Sequence, residues 1–188
     1  MNIVIFGPPG AGKGTQSKFI ENEYNLYQLS TGELLRKEIS NKTKLGSEIS
    51  SIINSGELVS DHIVSDLIEK FIANKDYKGR LIFDGYPRSL NQAKNLDILL
   101  NKYEQKIDIV LKLSVSLETV KKRISERLTQ ENRADDSEEI AIKRYKTYEN
   151  ASLEVMDYYK ELDLLRVVNG ESTISEINTE ISDLIDAL

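Results

Sequence analysis

Short, mainly apolar runs alternate with longer amphipathic stretches along this chain of 188 residues. Five such runs predict β-strands, at residues 3–6, 27–29, 81–83, 107–113 and 164–168, and the second run is the weakest. Nearly continuous apolar runs are typical of parallel strands that are covered on both faces. The pattern therefore favours a sheet that lies between two layers of helices.

Apolar residues in the intervening stretches recur three or four positions apart, as on one face of a helix. Such stripes cover residues 63–72, 117–128 and 174–188, and Ser60 or Asp61 is a candidate cap for the first of them. Strands that alternate with helices predict parallel connections and a doubly wound α/β fold. Ligands of these sheets bind beyond the carboxyl ends of the strands, so the loop after the first strand is a favoured site.

Composition narrows the class of protein. The formal net charge is −6, whereas a protein that coats nucleic acid is usually basic. The chain has no cysteine, which excludes disulfides and thiolate zinc sites and agrees with a reducing, cytoplasmic location. It has no apolar run near the roughly 20 residues that cross a membrane, and it enters its first predicted strand without the basic segment of a signal peptide.

The stretch GPPGAGKGT, residues 7–15, follows the first predicted strand directly. Its spacing matches the phosphate-binding P-loop, G-x-x-x-x-G-K, in the expected context between a strand and a helix. Backbone N–H groups of such a loop face an anion, the following helix adds its positive N-terminal end, and Lys13 adds a full charge. Gly14 follows the lysine, so the hydroxyl of the motif comes one position later, at Thr15. The loop predicts binding of a nucleoside triphosphate.

Four further segments specify the reaction. They are LSTGELLR at 29–36, DGYPRSLNQA at 84–93, NRADD at 132–136 and VNG at 168–170. With the P-loop, and in this order, they make the chain resemble the adenylate kinases of the short-lid form along nearly its whole length. The resemblance implies reversible phosphoryl transfer from MgATP to AMP, giving two ADP. It also implies a P-loop α/β/α fold of three layers around a five-stranded parallel sheet, with a helical AMP-binding lobe and a short lid.

The resemblance divides one domain, residues 1–188, into three parts. The core is implied at 1–29, 60–126 and 138–188, the AMP-binding lobe at 30–59 and the lid at 127–137. Since the lid is short and the chain lacks cysteine, no structural zinc is expected, and Mg²⁺ is expected with ATP. The implied partners are ATP, AMP and ADP, without nucleic acid or membrane, and the implied state is a monomer.

The resemblance implies which residues carry out catalysis and which bind ATP. The implied catalytic residues are Lys13, Arg88, Arg123, Arg127, Arg133 and Arg144. The implied ATP-binding residues are Gly10, Ala11, Gly12, Lys13, Gly14, Thr15, Arg123, Arg127, Gly170 and Ser172. Arg123 and Arg127 are four positions apart and so share one face of a helix. Asp84, at the end of the third predicted strand, is implied to hold Mg²⁺ through water.

The resemblance also implies a set of residues that bind AMP, the second nucleotide. The implied AMP-binding residues are Thr31, Arg36, Glu57, Leu58, Val59, Gly85, Arg88, Gln92, Arg133 and Arg144. Gln92 carries both a donor and an acceptor, which suits the N6 and N1 edge of adenine. Arginines that gather on an acidic protein would repel one another without an anion between them, which favours a phosphate clamp.

Three alternatives stay open at this level. A kinase for UMP or CMP shares most of these motifs, although Thr31 and Gln92 favour AMP. A GTP-driven switch is indicated only by the letters D-x-x-G at 76–79, which precede a strand instead of ending one. A non-catalytic nucleotide-binding protein would not need the intact set of Lys13, Asp84 and arginines. Glu33, Tyr86 and Asn132 depart from the usual family pattern, and none of them removes a charge that the chemistry needs.

Overall fold

A five-stranded parallel sheet forms the centre of the protein. The computed structural model describes residues 1–55, 57–131 and 138–188, and of residues 127–131 and 138 it describes the backbone alone. The strands are β1 (Ile3–Phe6), β2 (Tyr27–Ser30), β3 (Leu81–Asp84), β4 (Ile109–Ser114) and β5 (Leu165–Asn169). Their order across the sheet is β2-β3-β1-β4-β5, and every pairing is parallel. The five strands predicted from the apolar runs are confirmed.

The described ranges contain eight α-helices and one 3₁₀ turn at Lys75–Tyr77. The helices are α1 (Lys13–Tyr24), α2 (Thr31–Ser40), α3 (Lys44–Asn54), α4 (Asp61–Ile72), α5 (Leu90–Lys102), α6 (Leu117–Glu131), α7 (Glu138–Glu161) and α8 (Ile174–Asp186). Helix α5 begins after Ser89, whose side chain accepts a hydrogen bond from the Gln92 backbone. Helix α4 begins after Ser60, which occupies the predicted N-cap position, although its side chain makes no capping hydrogen bond.

Alternate residues of β1 pack into two separate cores. Ile3 and Ile5 face a core that includes residues of α1, α6 and α8. Val4 and Phe6 face a second core, built with α2, α3, α4, α5 and most of the buried side chains of α7. A central strand that is covered on both faces explains its continuous apolar run. The three-layer α/β/α arrangement is confirmed.

Helices α2 and α3 pack tightly against each other above the carboxyl end of β2. Gly46 of α3 lies against the backbone of α2, where an added Cβ would stand only 2.1 Å from the carbonyl oxygen of Glu38. A glycine is therefore required for this helix contact. The contact joins the two helices of the segment 30–59, which was predicted as the AMP-binding lobe.

The helices of the described ranges were compared with the length and apolar character of a membrane-spanning helix. Among the helices of the described ranges, none has both the length and the apolar character that crossing a bilayer requires.

Candidate active site

The loop between β1 and α1 has the backbone geometry of an anion site. Gly10 and Gly12 adopt positive φ angles of 78° and 94°, which favour glycine. The Ala11 N–H donates to the carbonyl of Pro8 at 3.1 Å, which closes the turn. The first turn of α1 contains no acidic residue, so its positive end is available to a phosphate. Gly14 and Thr15 are exposed on that first turn, as the P-loop prediction requires.

Lys13 lies over this loop. Its ammonium donates to the carbonyls of Gly7 at 2.8 Å and Pro8 at 3.1 Å. The side chain also lines a cavity at the carboxyl ends of the strands. The cation is thus held at the place where the loop would present a bound phosphate.

Two cavities adjoin at this end of the sheet. The central cavity is lined by Ile5, Phe6, Gly7, Pro9, Lys13, Leu58, Gly85, Pro87, Arg88, Arg144, Thr147, Tyr148, Ala151 and Ser152. The lobe cavity is lined by Thr31, Gly32, Leu35, Arg36, Ile53, Glu57, Leu58, Val59, Val64, Gly85, Arg88, Gln92 and Arg144. Four residues belong to both walls, and two of these are arginines. A group bound in one cavity therefore meets a group bound in the other at Arg88 and Arg144.

Arg88 places a buried positive charge where the two cavities adjoin. Its Nε donates to the carbonyl of Gly85 at 2.7 Å. Burial, together with the nearby charges of Arg144 and Arg36, lowers the pKa of Arg88 to about 10, against the opposing effect of Asp84. The guanidinium stays charged at neutral pH, although its surroundings disfavour that charge. An anion such as a phosphate would relieve this repulsion.

Asp84 ends β3 and is only 8% exposed. One carboxylate oxygen accepts a hydrogen bond from Nε2 of Gln28 at 3.0 Å, and the backbone carbonyl accepts one from Thr31 Oγ1 at 3.2 Å. The described residues contain no group of three His, Cys, Asp or Glu side chains placed to hold a metal ion. A single carboxylate suits Mg²⁺ that keeps its waters and arrives with a nucleotide, rather than a dedicated metal cage. Gln28 lies in none of the recognised motifs and was not among the predicted site residues.

Gly85 follows Asp84 and joins the two cavities. Its φ is +81°, and an added Cβ would stand 2.8 Å from Thr31 Oγ1 and 3.1 Å from a guanidinium nitrogen of Arg88. A side chain at this position would therefore push into the groups that line the lobe cavity.

Gln92 is buried, with 4% exposure, in the wall of the lobe cavity. Its Oε1 accepts a hydrogen bond from the Arg88 backbone at 2.7 Å, and its Nε2 donates to Asp61 Oδ1 at 2.5 Å. The sequence predicts Asp61 only as a candidate helix cap. Its contact with Gln92 joins the start of α4 to the start of α5.

Arg123 connects two segments of the predicted ATP site. One guanidinium nitrogen donates to the carbonyl of Ala11 at 3.2 Å, and the other donates to the carbonyl of Gly170 at 2.9 Å. Ser172 accepts a hydrogen bond from the Asn169 side chain at 3.2 Å, and it is absent from the described walls of both cavities. The roles of Arg123, Gly170 and Ser172 towards ATP stay predictions.

Two predicted arginines fall where the structure gives no side chain. The side chain of Arg127 and the whole of Arg133 lie outside the described residues. Their roles, like the bounds of the lid at 127–137, stay predictions. Of the other predicted AMP residues, Arg36, Glu57, Leu58 and Val59 line the lobe cavity.

One wall of the central cavity belongs to α7, and apart from Arg144 its residues were not predicted. Thr147, Tyr148, Ala151 and Ser152 lie in that wall with Arg144. They follow Arg144 by three, four, seven and eight positions, which is the spacing of one helix face. That spacing could have identified them once Arg144 was placed in the site. Burial raises the pKa of Tyr148 to about 12, so its hydroxyl stays protonated at neutral pH.

Comparisons with known proteins agree with this geometry. The family model described as adenylate kinase matches residues 5–164. Proteins named adenylate kinase are 39% identical in Pelagibacter ubique, over 98% of this chain and 99% of that protein, and 38% identical in Fusobacterium nucleatum, over 98% of each. Another, in Flavobacterium psychrophilum, is 38% identical over the full length of both chains. The chain therefore belongs to the adenylate kinase family, as its P-loop and the motifs after β2 and β3 predicted.

Proposed function

We propose that this chain carries out the family's reaction, phosphoryl transfer between ATP and AMP, by direct in-line transfer at the junction of the two cavities. The observation that carries the proposal is that Arg88 and Arg144 belong to both cavity walls. ATP phosphates on the P-loop and an AMP phosphate in the lobe cavity would meet between these two guanidinium groups. Phosphoryl transfer depends on such positioning and on charge stabilisation more than on covalent chemistry by the protein.

Each group has a defined task in this scheme. Backbone N–H groups of the P-loop hold the β-phosphate, and Lys13 exchanges its carbonyl partners for the oxygens of the transferred group. Arg88 and Arg144 hold the acceptor phosphate. Mg²⁺ would enter with ATP as part of the substrate and would supply positive charge to its phosphates. Asp84 would hold waters of that ion, with Gln28 fixing one of its carboxylate oxygens.

The acceptor nucleoside would occupy the lobe cavity. Thr31 and Gln92 are buried polar side chains in its wall and can contact a base. Thr31 uses its hydroxyl hydrogen on the Asp84 carbonyl, so its oxygen is left as an acceptor for the adenine amino group.

Closure of the predicted lobe, 30–59, and of the predicted lid, 127–137, is part of the proposal. The predicted phosphate-binding arginines come from segments far apart in sequence, and closure would bring those of the lid to the junction. It would also exclude water and so suppress wasteful hydrolysis of ATP. A monomeric state and a cytoplasmic location stay predictions.

A coupled turnover assay with MgATP and each of AMP, CMP, UMP and GMP tests the proposal. We expect AMP to be the best acceptor by far. Lys13→Met should keep the thermal transition of the wild type while turnover falls by several orders of magnitude, since contacts of this kind are worth roughly 3–4 kcal/mol or more. Near-normal turnover of this variant would exclude the assigned role of Lys13, and a preference for CMP or UMP would exclude AMP as the acceptor.

A compound that joins two adenosines through five phosphates tests the adjoining sites and the closure. It should bind far more tightly than ATP or AMP alone, because it fills both cavities at once. Small-angle scattering should show a more compact particle when it binds. An unchanged scattering curve under saturation would contradict closure but would leave the reaction assignment in place.

A further inference from the structure

We infer that Asp61 is a positioning residue that makes the acceptor site selective for adenine by fixing the orientation of the Gln92 amide. The inference rests on the proposed function, because it assumes that the acceptor base binds in the lobe cavity. Asp61 is the first residue of α4, and its two carboxylate oxygens contact Gln92 in α5 and Ser89, which caps α5. Oδ1 accepts from Gln92 Nε2 at 2.5 Å, and Oδ2 accepts from Ser89 Oγ at 3.3 Å.

The partners of Gln92 allow only one orientation of its amide. The backbone N–H of Arg88 can only donate, so the group that faces it at 2.7 Å must be the amide oxygen. The carboxylate of Asp61 accepts, so the group that faces it must be the amide NH₂. Reversing the amide would set N–H against N–H and oxygen against carboxylate. Without Asp61, only the contact with Arg88 would oppose rotation about the last bond of the side chain.

The hydrogen-bonding groups of the Gln92 amide that its two internal bonds do not use complement the edge of adenine. An amide offers two N–H donors and two acceptor lone pairs, and the two internal bonds use one of each. One donor and one acceptor remain, and Gln92 lines the lobe cavity. Adenine presents the acceptor N1 beside its N6 amino donor, which complements this pair. Hypoxanthine has the same size but presents a donor at N1 and an acceptor at O6, which opposes the fixed amide.

A purely mechanical role for Asp61 is the competing explanation. Ser89 caps α5 through the Gln92 backbone, so the contact between Asp61 and Ser89 could serve only to join α4 to α5. The two explanations differ in what they predict for base choice. A mechanical role affects AMP and IMP alike, whereas an orienting role acts on their ratio and only when Gln92 is present.

The test is a double-mutant cycle on the full-length enzyme, with AMP and IMP as acceptors and MgATP as donor. Asp61→Ala should raise KM for AMP about 5- to 20-fold, leave kcat and the KM for ATP within about 2-fold, and lower the AMP/IMP ratio of kcat/KM by about 5- to 20-fold. Asp61→Asn keeps an acceptor oxygen at the same reach and should retain most of the ratio. In the Gln92→Leu background, Asp61→Ala should change the ratio no further.

Controls separate selectivity from folding and from surface charge. Asp66→Asn removes a neighbouring exposed carboxylate of α4, which pairs with His62, and should behave as wild type. Asp61→Ser keeps a polar helix start but is too short to reach Gln92, so it replaces Asp61→Ala should the latter fail to fold.

Three results would overturn the inference. An unchanged AMP/IMP ratio in Asp61→Ala would leave Asp61 with a mechanical role alone, and an equal loss of the ratio in the Gln92→Leu background would show that Asp61 acts without Gln92. Failure of Asp61→Asn to restore the ratio would exclude the accepting oxygen as the cause. The first two leave the proposed function intact if the wild type phosphorylates AMP, whereas a wild type without that activity overturns the proposed function itself.

Discussion

Nζ of Lys143 lies 3.2 Å from Oε1 of Glu57 and donates to the carbonyl of Ser55 at 3.0 Å. Lys143 belongs to α7 and precedes Arg144, whereas Ser55 and Glu57 belong to the predicted lobe. This contact is therefore a direct link between the lobe and the helix that supplies a wall of the central cavity. Both charged side chains are about half exposed, so the ion pair adds little to overall stability.

Removal of this link should act on AMP binding rather than on folding. We expect Lys143→Met to raise KM for AMP about 2- to 5-fold, with kcat and the thermal transition nearly unchanged, because the lobe loses a contact at Glu57, which lines the lobe cavity. Steady-state kinetics at low and high salt provide the measurement, and the difference from wild type should shrink at high salt. Lys146→Met removes an exposed lysine of the same helix and is the matched control. Equal KM values for AMP in wild type and Lys143→Met would contradict this role.

The lowered pKa of Arg88 has a consequence for stability. A base whose pKa is lower in the folded than in the unfolded protein destabilises the fold at every pH below its folded value, here about 10. Arg88→Met should therefore melt at or above the wild-type temperature at pH 7.5, while losing most of its turnover. It should also lose most of the rise in melting temperature that saturating AMP gives the wild type. Differential scanning calorimetry measures both, and a ligand-free melting temperature several degrees below wild type would contradict the electrostatic cost.

Arg123 should matter for ATP and not for AMP. Its two nitrogens donate to carbonyls on different segments, at Ala11 and Gly170, and a lysine can supply only one point of charge. We expect Arg123→Lys to raise KM for ATP about 5- to 30-fold, while KM for AMP stays within about 2-fold. Lys122→Met, at the adjacent exposed position, is the control. A change that falls equally on both substrates would place the effect of Arg123 outside the ATP site.

Gly46 provides a test of helix packing. Gly46→Ala places a methyl group 2.1 Å from the Glu38 carbonyl, so α2 and α3 must separate, at a cost of about 2–4 kcal/mol. Gly14→Ala is the same substitution in a helix where nothing lies within 4 Å, and better helix propensity should leave its stability equal or slightly higher. Urea denaturation of both variants measures the contrast. Equal midpoints would show that the α2–α3 contact yields without cost.

The sheet and the P-loop could be predicted because each is coded locally. The apolar run at 3–6 can bury every side chain only in the middle of a two-sided sheet, and the glycines at 10 and 12 permit the positive φ angles that close the loop. The first strand end and the loop after it therefore indicated where the site lies before any contact was known.

The supporting contacts could not be predicted because they join segments distant in sequence. Gln28 reaches Asp84 across 56 positions, and Asp61 reaches Gln92 across 31. Asp61 is a residue type that often caps helices. Only the approach of α4 to α5 shows that its carboxylate accepts hydrogen bonds from Gln92 and Ser89 instead. The α7 wall of the central cavity is the intermediate case, because its helical spacing from Arg144 was present in the sequence.

The central position of β1 dictates an order of events during synthesis. Residues 3–6 leave the ribosome before both strands that pair with them, β3 and β4. Until the nascent chain extends beyond residue 114, this wholly apolar strand lacks one of its two neighbours, and the loop that follows it lacks the sheet that would hold it in place. The loop predicted to bind ATP is thus made early and gains its shape late, so a newly made chain could not draw on stabilisation by nucleotide binding there until most of the sheet exists.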